Sequence, residues 1–185
     1  MSGFIATAPE VLPVSLAELK AEARIATSEE DALLAGFARS AVELCESFTG
    51  TLLIARPVSE VVPASTAWTR LGATPVRAIE TVAALGPDGT ETALTADGYA
   101  IDIDAVGEGW VRLFAARPER RLRVSYAAGL ASEPNGVPEA LRQGIARLAL
   151  HSFARRDAAE PQAPPAAVTA LWRPWRRLRL GCERR

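Results

Sequence analysis

The sequence predicts an α+β protein, a helical body of about four helices interrupted by an antiparallel β module. Apolar residues recur at three- and four-residue steps near both ends of the chain, whereas they alternate with polar residues in the middle. Glycine and proline punctuate the alternating region, as in short strands joined by turns. Four segments follow: an N-terminal helical part at 1–50, a β insertion at 51–128, a helix completing the body at 129–157, and a proline linker with a C-terminal arm at 158–185.

The first predicted helix begins at a capping box. Ser15 and Glu18 have the spacing at which each side chain caps the backbone amide of the other residue. Val14 and Leu19 are placed as a hydrophobic staple across the same helix start. A short helix is therefore expected over residues 16–25.

A second, longer helix is expected from Ser28, because Ser28 and Asp31 have the spacing of another capping box. Apolar residues then recur in a stripe that requires an apolar partner surface: Leu33, Phe37, Ala41, Leu44 and Phe48. Gly50 is the natural end of this helix, since glycine adopts the left-handed conformation of a C-cap without strain.

The β module is predicted from Leu52 to Ala127. Residues 86–89 have proline second and glycine fourth, which suits a type I turn between strands at 79–85 and 90–94. Alternation predicts three further strands, at 99–103, 110–114 and 121–126. One face of this sheet should be buried and the other solvated.

The helical pattern resumes after the β module. Pro138 suits the first turn of a helix, because that position needs no amide donor. Leu141, Ile145 and Leu148 then share one face. Residues 158–165 include three prolines in five residues and cannot form a regular helix, so they are expected to be a semi-rigid link. A last short helix is expected to carry Val168, Leu171, Trp172, Trp175 and Leu178 among Arg173, Arg176, Arg177 and Arg179.

Composition indicates a globular protein, since 49% of the 185 residues are apolar and 23% are charged. The N-terminus lacks the features of a signal peptide, and no segment approaches the roughly 18 consecutive apolar residues of a membrane span. A cytosolic origin is therefore expected. Cys45 and Cys182 are too few for a disulfide framework and lack the spacing of a zinc site.

Charge is divided unevenly along the chain. Residues 1–111 carry 16 acidic and 6 basic side chains, whereas residues 112–185 carry 6 acidic and 15 basic ones. Such a chain can stack its positive end on a negative neighbour of the same kind, or present that end to nucleic acid. Arg120, Arg121 and Arg123 are expected on an exposed edge or face of the sheet.

Acidic residues in the β module are candidate metal ligands. Asp102 and Asp104 share a strand face near Glu108, and oxygen ligands suit a divalent cation. Their alternation with Ile101 and Ile103 already explains the spacing, which favours a solvated strand face. The sequence therefore predicts no metal site.

The sequence also offers no catalytic site. His151 is the one histidine, and neighbouring residues on a helix point about 100° apart, so His151 and Ser152 make a poor triad and a structural or interface role is favoured. No glycine-rich phosphate loop leads from a strand into a helix. We therefore expect a protein that is not an enzyme and that binds no cofactor.

Six short motifs follow one another along the chain: Leu16-Ala-Glu-Leu-Lys20, Phe48-Thr-Gly50, Pro75-Val76 through Val124, Tyr126-Ala-Ala-Gly129, Val137-Pro138 and Pro174-Trp175-Arg176. In order and spacing they resemble the head–tail connector (adaptor) proteins of long-tailed bacteriophages and related gene transfer agents. The resemblance spans nearly the whole chain. The chain departs from the family pattern at Trp175, where tyrosine is more usual, and at His151, where the family position is usually apolar or aromatic.

The resemblance implies a structural protein that forms a ring, usually a dodecamer. Such a ring binds beneath the portal protein of a DNA-filled head and offers its other surface to the next neck (stopper) protein and the tail. It implies no catalytic residue, no cofactor and no membrane. It also implies assembly in the bacterial cytoplasm and a final location in the neck of a phage or phage-like particle.

The C-terminal arm, residues 166–180, is predicted to dock onto the portal or an adjacent subunit, because tryptophan and arginine dominate interface energetics. The interface residues expected are Val168, Leu171, Trp172, Arg173, Trp175, Arg176, Arg177, Leu178 and Arg179. Non-specific contact with channel DNA and a solvated tail are alternatives for the same arginines, as is a small DNA-binding module using the Arg-rich C-terminus. A hydrolase on the β region has the least support, since no acid, base and nucleophile set is present.

Overall fold

The computed structural model describes residues 3–156 and 163–177, and the fold is α+β. The chain divides into two compact units. The β unit comprises residues 1–10 and 54–132, and the helical unit comprises residues 11–53 and 133–185. By sequence the β unit holds 10 acidic and 8 basic side chains, and the helical unit holds 12 and 13. The charge division along the sequence is therefore not a division between the units.

The β unit contains two antiparallel sheets among its described residues. The first has five strands in the order β1-β2-β8-β4-β5, with β1 at Phe4–Ala6, β2 at Arg56–Pro63, β4 at Val76–Leu85, β5 at Glu91–Ala93 and β8 at Arg121–Ala128. The second has three strands in the order β3-β7-β6, with β3 at Thr69–Arg70, β6 at Tyr99–Ile103 and β7 at Gly109–Leu113. The strands predicted from the sequence do not include β1, β2 or β3. Strands β1 and β3 are only three and two residues long, whereas β2 has eight residues and was missed within the predicted β region.

Strand β8 lies at the centre of the larger sheet and shows the predicted alternation. Leu122, Val124 and Tyr126 are buried. On the other face, the Arg123 guanidinium lies 2.8 Å from a Glu91 carboxylate oxygen. Arg121 is exposed. These arginines thus lie on the solvated face of a central strand rather than along an edge, one of the two placements that the sequence left open.

The β4–β5 turn and the β6 strand show where alternation succeeds and where it fails. The turn at 86–89 is confirmed, since the Gly89 amide donates to the Gly86 carbonyl at 3.1 Å. On β6 the predicted buried face is wrong, because Ile101 and Ile103 are 44% and 37% exposed. Strand β6 is the edge of its sheet and has only β7 beside it, so its apolar side chains are covered incompletely.

A buried polar network holds the segment after β3 in the β unit. The Glu60 carboxylate, 1% exposed, accepts hydrogen bonds from the Gly72 amide at 2.7 Å and from the Tyr126 hydroxyl at 2.8 Å. The Tyr126 oxygen in turn accepts from the Ala73 amide at 3.0 Å. Each of these buried polar groups therefore depends on the others for its hydrogen bonds.

We expect Tyr126→Phe to lower the free energy of unfolding by about 1–3 kcal/mol, since it removes a partner from two buried groups. Chemical denaturation measures this change. Tyr99→Phe is the matched control: Tyr99 is half-buried on β6, and its variant should change stability by less than about 0.5 kcal/mol. Equal effects of the two substitutions would contradict the role given to the network.

The helical unit contains four helices among its described residues: α1 at Leu16–Ala23, α2 at Asp31–Thr49, α3 at Glu139–Ala154 and α4 at Ala166–Trp172. Two short 3₁₀ turns lie at Pro134–Gly136 and Arg173–Trp175. Within the described part of the chain, no helix has the length and hydrophobicity needed to cross a membrane.

The capping box at the start of α1 is confirmed. The Glu18 amide donates to the Ser15 hydroxyl at 3.1 Å, and the Ser15 amide donates to the Glu18 carboxylate at 2.7 Å. That bond from the Ser15 amide is the main reason why the pKa of Glu18 lies below its usual value, and Arg142 contributes as well. The helix ends at Ala23 rather than at residue 25, because Arg24 adopts the left-handed conformation of a C-cap, with φ of 57°.

Helix α2 differs from its prediction at its start and in its buried face. It begins at Asp31 rather than Ser28, and no side chain caps it. Its buried residues are Leu34, Ala38, Ala41, Val42, Cys45 and Thr49. Apart from Ala41, the buried face therefore lies one residue later in the sequence than the predicted stripe. Leu33 and Leu44 of the predicted stripe are 44% and 41% exposed. The helix ends as predicted at Gly50, where φ is 69°.

Helix α3 packs through the face that the sequence predicts. Leu141 and Ile145 are 1% and 0% exposed, and Leu148 is also buried. Pro138 is the residue before the first helical position rather than part of the first turn. The placement still avoids an unpaired amide, because proline has none.

Candidate interaction site

The C-terminal arm begins with a short helix that is tied to the body of the helical unit. Pro165 precedes α4 and accepts a hydrogen bond from the Val168 amide at 2.9 Å. Val168 is 1% exposed. Helix α4 ends at Trp172, and the chain continues as the 3₁₀ turn at 173–175. The arm thus packs into the core of this unit through Val168 and Trp172 of α4.

Trp172 is the anchor of the arm and is fully buried. Its indole N–H lies 3.4 Å from the Leu141 carbonyl, and its ring centroid lies 5.9 Å from that of Phe48. Gly144 on α3 makes room for the indole, because a Cβ atom at this position would overlap Trp172 Nε1. This role of Gly144 was not predicted. Its one sign in the sequence is a glycine within a helical segment, where glycine costs about 1 kcal/mol relative to alanine.

Arg176 and Arg177 of the arm lie at the C-terminus of α2. The Arg177 amide donates to the Thr49 carbonyl at 2.8 Å, one of the last carbonyls of α2 that have no partner within the helix. The Arg176 guanidinium lies 5.6 Å above the Phe48 ring. Because the last turn of α2 has no basic residue of its own, Arg176 brings positive charge to the negative end of the helix dipole.

Seven of the nine predicted interface residues are described, and they fall into three groups by exposure. Val168 and Trp172 are buried within the helical unit, and Leu171 and Arg177 are half-buried. Arg173, Trp175 and Arg176 are exposed, Trp175 by 39%. Leu178 and Arg179 lie outside the described residues. The arm docks onto its own chain through one tryptophan and presents the other to solvent, so the surface available to a partner is Arg173, Trp175 and Arg176, named here the Trp175 patch.

Of the three acidic metal-ligand candidates, Asp102 is exposed on β6, and the two in the β6–β7 turn have structural roles. Asp104 accepts hydrogen bonds from the Val106 and Glu108 amides at 3.0 and 2.8 Å, which stabilises the turn between β6 and β7. Glu108 pairs with Arg70 at 2.8 Å. Among residues 3–156 and 163–177, no group of three or more His, Cys, Asp or Glu side chains could hold a metal ion.

The remaining candidates for catalytic chemistry are His151, Ser152 and Cys45. His151 and Ser152 are both half-buried near the end of α3. Cys45 is buried as a free thiol, and desolvation raises its pKa, so it stays protonated. Neither observation provides an activated nucleophile.

The Tyr126-Ala-Ala-Gly129 motif is structural. Gly129 has φ of 154°, and a Cβ atom there would overlap the backbone of Ala55. The Gly129 carbonyl accepts a hydrogen bond from the Arg77 side chain at 2.8 Å, and the Leu130 carbonyl accepts another at 2.7 Å. Glycine is therefore required where β8 ends, because two backbone segments meet there in the β unit.

Neither protein-family models nor curated proteins match this chain. Solved structures do match. A chain in the neck of an empty gene transfer agent (GTA) particle, computed with C6 symmetry, superposes with a TM-score of 0.77 at 23% identity, covering 98% of this chain and 100% of its own. A chain from the neck of a native GTA particle, computed with C12 symmetry, gives 0.76 at 24% identity, with all of both chains covered. A chain from the virion of a native GTA particle gives 0.74 at 22%, with 97% of each covered. This chain thus has their fold over essentially its whole length.

Proposed function

We propose that this chain is a structural neck protein of a phage or gene transfer agent particle, and that it is a ring-forming head–tail connector. In this role it binds the portal protein and links the DNA-filled head to the next neck protein and the tail. The observation that carries the proposal is the likeness to GTA neck chains over 98% or more of this chain. The likeness includes both units of this chain, so no large segment remains unmatched that could carry another activity. The six motifs of the sequence point independently to the same class of protein.

A ring of identical copies agrees with the symmetry of those neck structures, which are C6 and C12. Cyclic symmetry with more than two copies requires each chain to present two different surfaces, one to each neighbour. A structural role also agrees with the chemistry of the described residues, in which Asp104 stabilises the turn after β6 and the Cys45 thiol is kept protonated by burial.

The Trp175 patch is the surface that we assign to the portal. It combines an exposed tryptophan with two exposed arginines, the residue types most enriched among interface hot spots. Its base is rigid, because Trp172 is buried and the Arg177 amide bonds to α2. A patch held in this way loses little conformational entropy when it binds a partner.

DNA binding through the same arginines is the alternative. Arg176 lies over the Phe48 ring, and Trp175, 39% exposed, stands between the two exposed arginines. Arg173 and Arg176 could contact phosphates, but an exposed tryptophan beside them adds apolar area that a phosphate backbone does not match. This composition favours a protein partner.

We expect Trp175→Ala to weaken binding of the full chain to the portal by roughly thirtyfold or more, the effect of losing a hot spot of at least about 2 kcal/mol. Titration of the purified chain against its portal complex measures this change. Phe114→Ala is the matched control, because Phe114 is an aromatic side chain 56% exposed in the β unit, and its variant should bind like the parent.

Unchanged portal affinity in Trp175→Ala would overturn the assignment of the patch. A duplex-DNA titration over a range of salt concentrations decides between the two candidates. Steeply salt-dependent DNA binding that is lost in Arg173→Ala/Arg176→Ala, together with intact portal binding, would favour the DNA-binding module.

A further inference from the structure

Two exposed leucines, Leu33 and Leu44, lie on one side of α2 in a row of uncharged residues that also holds two serines and Phe37, whose ring lies 6.4 Å from Phe153 on α3. Leu33, Phe37, Ser40, Leu44 and Ser47 follow each other at steps of four, three, four and three residues, and we name this set the α2 outer stripe. Leu33 and Leu44 are 44% and 41% exposed, and Phe37 is half-buried. This spacing keeps all five residues on one side of a helix over about 21 Å, and none of them is charged. It is also the spacing through which one helix packs on another surface.

A second apolar surface lies at the free edge of the smaller sheet. Ile101, Ile103 and Val106 are 44%, 37% and 62% exposed, and we name them the β6 patch. Ile101 is paired with Val111 in the antiparallel register, so the two side chains share a face of the sheet. Val111 is 1% exposed, whereas Ile101, on the same apolar face, is exposed to solvent.

The β6 strand also has a free backbone edge. Only β7 pairs with it among the described strands. Proteins commonly protect such an edge with proline or lysine, and β6 contains neither. Its single charged residue is Asp102. An apolar, unprotected edge of this kind is suited to a protein neighbour rather than to solvent or nucleic acid.

We propose that the α2 outer stripe of one copy binds the β6 patch of the next copy, so that this contact closes the ring. The inference rests on the proposed function, which requires identical copies around an axis. A ring contact joins two different surfaces. The helical unit contributes the α2 outer stripe, the β unit contributes the β6 patch, and the Trp175 patch remains for the portal.

Chemical cross-linking in assembled particles tests the contact. Cysteines are introduced at Leu44 and Ile101 in one chain, with Cys182→Ser throughout, and a short flexible bis-maleimide is added to intact particles. Cys45 is 0% exposed and stays unmodified. Pairs that combine Leu33 or Leu44 with Ile101 or Val106 cover small differences in register. We expect at least one pair to give a ladder of covalently linked multimers on a denaturing gel.

Three controls define the result. Chains with one introduced cysteine should give no multimers, because a heterologous contact never brings a residue near its own copy. Leu44→Cys with Ile5→Cys should give none either, although Ile5 is 75% exposed. Thermal denaturation should match the parent within about 0.5 kcal/mol, as is usual for surface substitutions.

No ladder from any of the four pairs would overturn the inference, as would a dimer from Leu44→Cys alone, which would show that two stripes face each other. These outcomes are separate from failure of the proposed function. If the chain is present in the neck but the pairs do not cross-link, the contact is wrong and the function stands. If the chain is absent from the neck, the function itself is wrong.

Discussion

Replacing Trp172 with alanine should lower the free energy of unfolding by about 3–5 kcal/mol, the usual cost of removing a fully buried tryptophan. The loss combines the apolar contact with Phe48, the hydrogen bond to the Leu141 carbonyl and the cavity left beside Gly144. Because α4 has only seven residues, it cannot persist without this anchor. Denaturant titration followed by circular dichroism measures the loss, and proteolysis near α4 should become faster.

Trp175→Ala is the control for this prediction, since the two tryptophans are three residues apart in the same arm. Trp175 is 39% exposed, and its removal should cost less than about 1 kcal/mol. We therefore expect opposite phenotypes: Trp172→Ala unfolds readily, whereas Trp175→Ala is stable but binds the portal poorly. A Trp172→Ala variant as stable as the parent would show that the arm is not part of the core.

Gly129→Ala should be comparably destabilising. The φ of 154° costs a residue with a Cβ about 1–3 kcal/mol, and overlap with the Ala55 backbone adds the cost of overpacking, about 1–3 kcal/mol. The total expected loss is about 2–6 kcal/mol, seen as a lower midpoint of denaturation. The neighbouring backbone cannot yield easily, because Ala55 is itself hydrogen-bonded to the Ala131 carbonyl at 2.7 Å.

Gly89→Ala separates the two contributions. Gly89 also has a positive φ, 87°, but a Cβ there would meet no atom within 4 Å. Its variant should therefore lose only the part due to backbone conformation, about 1 kcal/mol. If both glycine variants lost the same amount, close approach to Ala55 would not be the reason for glycine at 129.

Local signals in the sequence predicted the features that depend on a few neighbouring residues. The Ser15 capping box, the Gly50 helix end and the turn at 86–89 all form as expected, because each is decided within four or five residues of chain. The alternation of β8 was also sufficient to predict its buried face, since this central strand has one face covered and the other solvated.

Features that depend on distant parts of the chain were not predictable in the same way. On α2 two adjacent stripes are apolar, and only packing decides that Leu34 is buried while Leu33 is exposed. On β6 the alternation is correct, but the sequence does not show that the strand lies at an edge. In each case the apolar side chains that the fold leaves uncovered belong to the proposed ring contact.

The arm shows the same limit within the candidate site. Tryptophans 172 and 175 have similar neighbours in sequence, and the pattern treats both as interface residues. Gly144, nearly thirty residues earlier, opens the space that only Trp172 occupies. A residue that acts by lacking a side chain gives almost no signal in a single sequence, which is why the division of roles in the arm required the structure.

The central claim is that this chain is a ring-forming component of a particle neck, and cryo-electron microscopy of particles from the producing strain tests it most directly. We predict density for a ring of identical copies of this fold between head and tail, with the Trp175 patch against the portal. Particles from a strain lacking the chain should have full heads without tails. Normally tailed particles from that strain, or a neck in which the chain is absent, would contradict the claim.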